Sequence, residues 1–556
     1  MPDPNVTSPT PDAPRIALTF SGGGFRASAF CLGALTYLDK IKINDKSLLE
    51  HCIALSTVSG GTITGARYAF GISQKNPKET IDDIYQALYK FMSETDLPAL
   101  SLDKLTKDWK GGRLKTLINS FADIYDEKLF NHGTFSSIMR DDLHLKHISF
   151  NATEFSSGIQ FRFQWSEEIT KAKDDEPKRG LIGNNNFRIP EDVAREIRMA
   201  DILAASSCFP AGFEPINFPT DFSHKNSPNL NALTGPNYPV GLMDGGIVDN
   251  QGIAPIELAE KRMKRNLPDA SSKDDNEFDL IIVCDVASPF LDAYQASIEN
   301  KKNGWRDLTP SFILVANTIL LLASIFSVIY AVKYYVVWLM IVGTSVGTIS
   351  LVIYLLGAML RSLPKKFDVP ESFLMPLGKL LKLKLRVYEN MISNRVSSIL
   401  KMTVGVFLKH VRGLNYNKIY QSKKWKNRGI MNAVYELRCG NTTLTNKIKK
   451  GTLPGNLMPS QEIQRVATAA ASMGTTLWFT PEELKKKDML NQLIATGHFT
   501  TCWNLLVYID KIKKDNENTN SRHQAIIALE QELLTDWDKF NKDPLSFVKE
   551  LNKRKQ

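Results

Sequence analysis

Two uncharged apolar runs stand in the middle of the chain, Phe312 to Val332 (21 residues) and Tyr335 to Leu360 (26 residues), with only Lys333 and Tyr334 between them. Each exceeds the roughly 18–20 residues that cross a bilayer core of about 30 Å. So short a connection returns the chain to the side it left, which predicts a transmembrane helical hairpin over 311–361 with both flanks in one compartment. Arg306 precedes the first run, and Arg361, Lys365 and Lys366 follow the second, against a single lysine in the turn. The positive-inside bias then puts both flanks, and both termini with them, in the cytoplasm. Tyr330, Tyr334, Tyr335 and Trp338 gather at the turn, as an aromatic belt would. The competing reading, a buried helical hairpin of a large soluble core, has to accept helices of unusual length without charge. Asn317, Thr344, Ser345, Gly347 and Thr348 inside the runs suit helix-on-helix packing better than a pore lining.

The remainder is globular in composition: 43% of the 556 residues are hydrophobic and 23% charged, which excludes a disordered or collagenous chain. Charge is unevenly spread. Residues 361–450 hold 20 Lys and Arg against 4 Asp and Glu, an excess larger than the net +10 of the whole chain. A basic block beside a membrane exit suggests anionic lipid headgroups as partner rather than nucleic acid. Lys379 to Arg412 alternates apolar and cationic residues as an amphipathic helix does. It either lies on the cytoplasmic leaflet or packs its apolar side on the rest of the protein. The six cysteines form no C-x-x-C pair, which argues against a disulfide scaffold, a redox site or a zinc module and fits a reducing compartment. Residues 1–14, rich in Pro, Asp, Ser and Thr, lack the h-region of a signal peptide and read as a disordered tail.

The N-terminal half alternates strand and helix signals. Arg15 to Phe20 is a β-forming run that ends in Ser21-Gly22-Gly23-Gly24, and Ala27 to Leu38 continues with helical spacing. The unit repeats as Cys52 to Leu55, a turn over Ser56 to Gly61, and a helix from Thr62 to Phe70. Two such units predict a parallel sheet covered by helices. Further strands are expected at Ile148 to Ala152, Gln160 to Trp165, Val240 to Met243 and Leu280 to Val286, with loops over Asp221 to Asn237 and Ala270 to Glu277. Gly22-x-Gly24-x-x-Ala27 fits a dinucleotide fingerprint only if an acidic residue ends the next strand, and Ala54-Leu55-Ser56-Thr57 stands there instead. What remains is a run of backbone N–H groups at a helix start, Gly22, Gly23 and Gly24, with Arg26 beside it: a place to hold a negative oxygen.

Thr57-Val58-Ser59-Gly60-Gly61 lies between strand and helix, where Ser59 occupies the position of a nucleophile on an elbow and Val58, Gly60 and Gly61 are its small flanks. Thr57 replaces the first glycine of the G-x-S-x-G pattern. A base is needed. His51, His132, His144 and His147 are poorly placed, and His498 is the histidine best suited to the late position of a triad. Asp244 competes: it ends the run Pro239 to Met243 and precedes Gly245-Gly246, which leaves its carboxylate uncrowded at the edge of the sheet, although an ordinary Asp-Gly turn reads the same.

In combination these pieces resemble the patatin-like phospholipase family, in its bacterial form. The resemblance rests on Ser21-Gly22-Gly23-Gly24-Phe25-Arg26, Val58-Ser59-Gly60-Gly61, the Ala/Ser-rich block Ala204 to Phe213, and Asp244-Gly245-Gly246, in that order. It implies a three-layer α/β/α sandwich with a mostly parallel sheet. It also implies a Ser59–Asp244 dyad without histidine or metal, an oxyanion hole at Gly22 to Gly24 near Arg26, and no cofactor. Ser21 and Thr57 depart from the family pattern.

The resemblance covers Arg15 to Ala287, giving a catalytic domain over 15–290. It resumes at Val466 to Ala470, Gly474 to Leu477 and Leu493 to Phe499, which makes His498 structural and the hairpin an insertion. The expected order is then 311–361 hairpin, 362–430 basic amphipathic helical segment, 431–508 helices completing the catalytic domain, and 509–556 a charged helical tail suited to self-association or to no evident task. The function expected is a phospholipase A-type acyl hydrolase anchored in a bacterial cytoplasmic membrane, with membrane phospholipids as substrate. A membrane scaffold or pore with an inert esterase domain is the alternative.

Overall fold

The computed structural model describes residues 13–75, 78–107, 113–167, 180–210, 212–233, 238–265, 277–286, 304–366, 382–422, 425, 427–514 and 521–554. Most of the expected N-terminal tail, nearly all of the loop at 270–277, and residues 367–381 of the basic segment lie outside the described residues. The chain forms two compact units, one from Met1–Leu291 with Thr403–Gln556 and one from Asp292–Met402.

The first unit is built on eight strands: β1 Ile16–Phe20, β2 Cys52–Val58, β3 His147–Glu154, β4 Ile159–Ser166, β5 Ile216–Phe218, β6 Val240–Asp244, β7 Leu280–Asp285 and β8 Gly429–Ala433. The order across the sheet is β8-β7-β1-β2-β3-β6-β5, with β4 on the other edge of β3. From β8 to β3 the strands are parallel. β4, β6 and β5 run antiparallel to their neighbours. Its main helices are α1 Gly24–Lys40, α2 Gly60–Ser73, α3 Ile253–Arg265, α4 Leu408–Tyr420, α5 Gln461–Ser472 and α6 Met489–Lys514. Alternation along β1 explains the layering: Ile16, Leu18 and Phe20 enter a core shared with α1, α2 and α6, whereas Ala17 faces Ile253, Ile256 and Ala259 of α3. Helices on both faces of a mostly parallel sheet make the expected three-layer sandwich.

Three elements differ from the sequence reading. Residues 429–433 form a strand where helices alone were expected, because pairing with β7 over five residues, Gly429↔Ile281 to Ala433↔Asp285, overrides a weak local pattern. The basic segment 362–430 is not one piece. It contributes helix Leu385–Leu400 to the second unit and α4 to the first. The charged tail 509–556 is part of the core: Trp537, Phe540, Phe547, Val548 and Leu551 are buried, and Tyr37 of α1 donates to Asp536 at 2.9 Å. α1 and α6 touch backbone to backbone, since a Cβ on Gly33 would lie 2.0 Å from the Ile494 carbonyl oxygen and one on Gly497 2.2 Å from that of Phe30.

In the second unit, helices Pro310–Tyr334 and Val337–Lys366 form a hairpin, and the spans Pro310–Tyr334 and Val337–Leu356 are long and apolar enough to cross a membrane. The turn comes two residues later than expected. Lys333 and Tyr334 finish the first helix, and Tyr335 caps it in the left-handed conformation at φ 55°. Asn317 donates to the Ser350 carbonyl at 3.2 Å and Ser324 to that of Gly343 at 2.6 Å, while Gly347 leaves room for the Ser324 hydroxyl. Thr344, Ser345 and Thr348 do not join this interface. Thr344 and Thr348 lie one residue past Gly343 and Gly347, and Ser345 two residues from each; all three are exposed and give their hydroxyls to carbonyls of their own helix.

Candidate active site

Ser59 follows β2 and is the residue before α2, at φ 51° and ψ −123°. A non-glycine residue at such a φ is strained and needs the surroundings to hold it. Ser206, from the Ala/Ser-rich block, supplies the clamp. Its hydroxyl accepts from the Ser59 N–H at 2.9 Å, donates to the Asn151 carbonyl at 2.7 Å and contacts the Thr62 hydroxyl at 2.8 Å. Thr57, the departure from the glycine pattern, donates to Thr62 at 3.0 Å, and its methyl occupies space left by Gly65, where a Cβ would lie 2.3 Å from Thr57 Cγ2. Gly60 is pressed against the glycine turn, since a Cβ there would lie 2.5 Å from the Gly24 nitrogen. Gly61 packs on Ser21 in the same way, and Val58 is buried as the last residue of β2.

Strand pairing brings Asp244 to this elbow. β4 takes the whole of one edge of β3, so β2 and β6 share the other edge and meet end to end: Val58 pairs with Asn151, and Asp244 with the next residue, Ala152. β6 is antiparallel, so its last residue lands at the carboxyl end of β2. The Gly246 N–H donates to Asp244 Oδ1 at 2.7 Å, and the Ser59 side chain lies close enough to the carboxyl to favour its charged form. Burial pushes the Asp244 carboxyl up to about 6, against the lowering effect of both partners.

The glycine turn after β1 completes the group. The Ser21 hydroxyl accepts from the Val286 N–H at 3.1 Å and so ties the turn to β7. Gly23 (φ 148°) and Gly24 (φ 59°) hold conformations closed to larger residues, and a Cβ on Gly24 would strike the Thr476 carbonyl oxygen at 2.2 Å. Two members of the expected oxyanion set are engaged elsewhere. The Gly22 N–H donates to the Asn250 carbonyl at 3.0 Å, and the Arg26 guanidinium donates to the Met473 carbonyl. Burial, then the nearby Arg412 cation, lowers Arg26 to about 10, with Asp285 opposing. The Gly23 and Gly24 N–H groups have no backbone partner among the described residues. Both lie at the start of α1, where the helix dipole favours negative charge.

No histidine stands at Ser59. His498 is fully buried between α1 and α6, 2.9 Å from the Thr36 hydroxyl, and burial lowers it to about 3. His51 contacts the Ile43 carbonyl, His132 pairs with Asp126 at 2.6 Å and His144 with the Tyr68 hydroxyl at 2.8 Å, while His147 begins β3, four residues before Asn151.

Four residues escaped the sequence reading. Asn250, six residues after Asp244, aims its side-chain oxygen between the two turns, 2.4 Å from where a Cβ on Gly22 would stand and 2.6 Å from one on Gly246. Gln251 and Arg412 both donate to Asp285 at 3.0 Å, and Asn415 donates to Asp249 at 2.9 Å, so α4 holds the segment after Asp244. Asn250 and Gln251 had a usable signal, their nearness to Asp244 in sequence. Arg412 and Asn415 lie more than 100 residues from their partners.

Among the described residues no group of His, Cys, Asp and Glu is arranged to hold a metal ion. A serine elbow, a buried carboxyl and unspent helix-start amides at the carboxyl ends of a mostly parallel sheet are the layout of an α/β protein with a polar reaction centre. Residues 18–259 match the patatin-like phospholipase family, so the chain carries a domain of that lipid acyl hydrolase family. No curated protein matches the chain.

Proposed function

We propose that the chain is a membrane-anchored lipid acyl hydrolase in which Ser59 is the nucleophile and Asp244 the base. The observation that carries this reading is the meeting of a strained Ser59 with the Asp244 carboxyl at the junction of β2 and β6. Asp244 takes the Ser59 proton as Oγ attacks the ester carbonyl. The Gly23 and Gly24 N–H groups hold the resulting oxyanion, each worth about 3 kcal/mol when well aimed. Collapse expels the alcohol with the proton from Asp244 and leaves an acyl-serine. Asp244 then draws a proton from water, whose oxygen attacks the acyl carbon, and collapse frees the fatty acid as Asp244 returns that proton to the departing Ser59 Oγ. A carboxyl near 6 suits both directions of transfer at neutral pH.

The two apolar helices and their cationic flanks support a hairpin anchor with the catalytic unit on the cytoplasmic side, and the basic excess over 361–450 supports a preference for anionic bilayers. The test is fatty acid release from anionic liposomes that carry the full-length protein. Ser59→Ala and Asp244→Ala are each expected to lower the rate at least about 1,000-fold. Release that survives Ser59→Ala would reject the assignment, and dye leakage without release would favour a scaffold or pore.

A further inference from the structure

We propose that the polar face of β3 and β4 carries an anion site, centred on Arg162 and Arg262, that takes a phosphate group. Along this ladder His147, Ser149, Asn151 and Thr153 pair with Ser166, Gln164, Arg162 and Gln160. Directly paired residues share a face, so these eight side chains point one way. Ile148, Phe150, Phe161, Phe163 and Trp165 point the other way into the core. The polar face is covered nonetheless, since Ser149, Asn151, Thr153, Gln160 and Gln164 are all buried. Arg162 is at its centre, and its backbone is fixed by hydrogen bonds in both directions with Gly183, at 3.0 and 2.8 Å. Arg262 of α3 reaches the same place: a Cβ on Gly180 would lie 3.0 Å from Gln164 Nε2 and 3.2 Å from Arg262 Cζ.

Among the described residues neither guanidinium has a counter-charge. Other half-buried arginines of this unit face carboxylates: Arg198 meets Asp123, Asp126 and Asp201, Arg412 meets Asp285, and Arg428 meets Glu260 and Glu277. Among the described residues no carboxylate pairs with Arg162 or Arg262. Arg162 Nε, Arg262 Nε, His147 Nδ1 and Gln160 Nε2 are all buried without a hydrogen-bond partner. Burial lowers both guanidiniums, Arg262 to about 10 with the Arg162 charge adding to the effect. Burial also lowers His147 to about 3, with Arg262 contributing. Two partly buried like charges without an anion are costly, and a pair of forked donors fits the tetrahedral oxygens of phosphate. Asn151, opposite Arg162, donates to the Ser56 hydroxyl and the Thr57 carbonyl at 2.9 Å each, which sets the site beside the strand that leads to Ser59.

The phosphate belongs either to a lipid headgroup or to a soluble phosphate ester. The test uses the full-length protein in phosphatidylcholine nanodiscs, titrated with inorganic phosphate by calorimetry and by thermal unfolding. Phosphate is expected to bind and to raise the wild-type Tm. Arg162→Gln and Arg262→Gln should each weaken binding about tenfold, and the double variant should abolish it. Without phosphate the variants should unfold no earlier than wild type, because a repulsion has been removed. Glycerol 3-phosphate and nanodiscs containing phosphatidic acid separate the two sources by which of them displaces inorganic phosphate. An equal response in the double variant, or none in wild type, would overturn the proposal. So would binding that appears only after Asp174, Asp175 and Glu176 are changed to their amides, since the chain's own carboxylates would then fill the site.

Discussion

Asp244 has two pH signatures of opposite use. In its proposed role as base it must be ionised, so ester hydrolysis is expected to rise with pH through about 6 and to level off above, and a flat profile between about pH 4.5 and 8 would remove it from that role. For stability the folded carboxyl titrates above its unfolded value of 3.8, so its contribution is complete below about pH 4 and is lost as pH rises through about 6. Asp244→Asn should therefore be inactive yet about 3 kcal/mol more stable than wild type at pH 8, with the gap closing near pH 4 by chemical denaturation. His498 works the other way. Held near 3 in the fold, it destabilises the protein as pH falls below its ordinary value of 6.5. At the glycine turn, Gly24→Ala meets a backbone oxygen at 2.2 Å in a left-handed conformation and should prevent folding, whereas Gly22→Ala meets only the movable Asn250 side chain and Ser59 Cβ. The second substitution is expected to leave far-UV circular dichroism intact and to cut fatty acid release at least about tenfold.

The elbow shows how an element absorbs a departure from its pattern. Thr57 fits because Gly65, in the second turn of α2, offers no Cβ. Gly65→Ala should cost about 1–3 kcal/mol in denaturant unfolding, and much of that should return in a Thr57→Ser background, which removes Cγ2 and keeps the hydroxyl bond to Thr62. Additive effects in that double-mutant cycle would refute the pairing. Local signals of this kind explain what could be read from the sequence: β1, β2, both glycine turns and Ser59 are written in contiguous residues whose turn chemistry has few alternatives. β8 and the three residues of β5 were not readable, because Gly429 to Ala433 become a strand through a partner far away in sequence and Ile216 to Phe218 through Val240 to Leu242 across an intervening loop. The antiparallel course of β6, which decides where Asp244 ends up, is equally silent in Val240 to Asp244. Asp285 with Arg412, and Ser206 with the elbow, are pairings across 127 and 147 residues that no motif encodes.

At the scale of the whole molecule, the first unit is split by the second and closed by Asp285–Arg412. Replacing residues 292–402 with a short flexible linker is expected to leave a folded esterase that cleaves short water-soluble esters and no longer sediments with liposomes. Ending the chain at residue 291 should instead give aggregates, because β7 loses β8, and α1 loses α6 and the carbonyls of Met473 and Thr476. Solubility, ester turnover and vesicle sedimentation of the two variants check both statements. The order of these pieces has a consequence for biosynthesis. Ser59 and Asp244 leave the ribosome long before residues 473–476, and the hairpin is made in between. At about 5–20 residues per second, roughly 20–80 seconds pass between the synthesis of Ser59 and that of residues 473–476, with the glycine turn unsupported. The glycine turn can therefore be braced by residues 473–476 only after both apolar helices have been made.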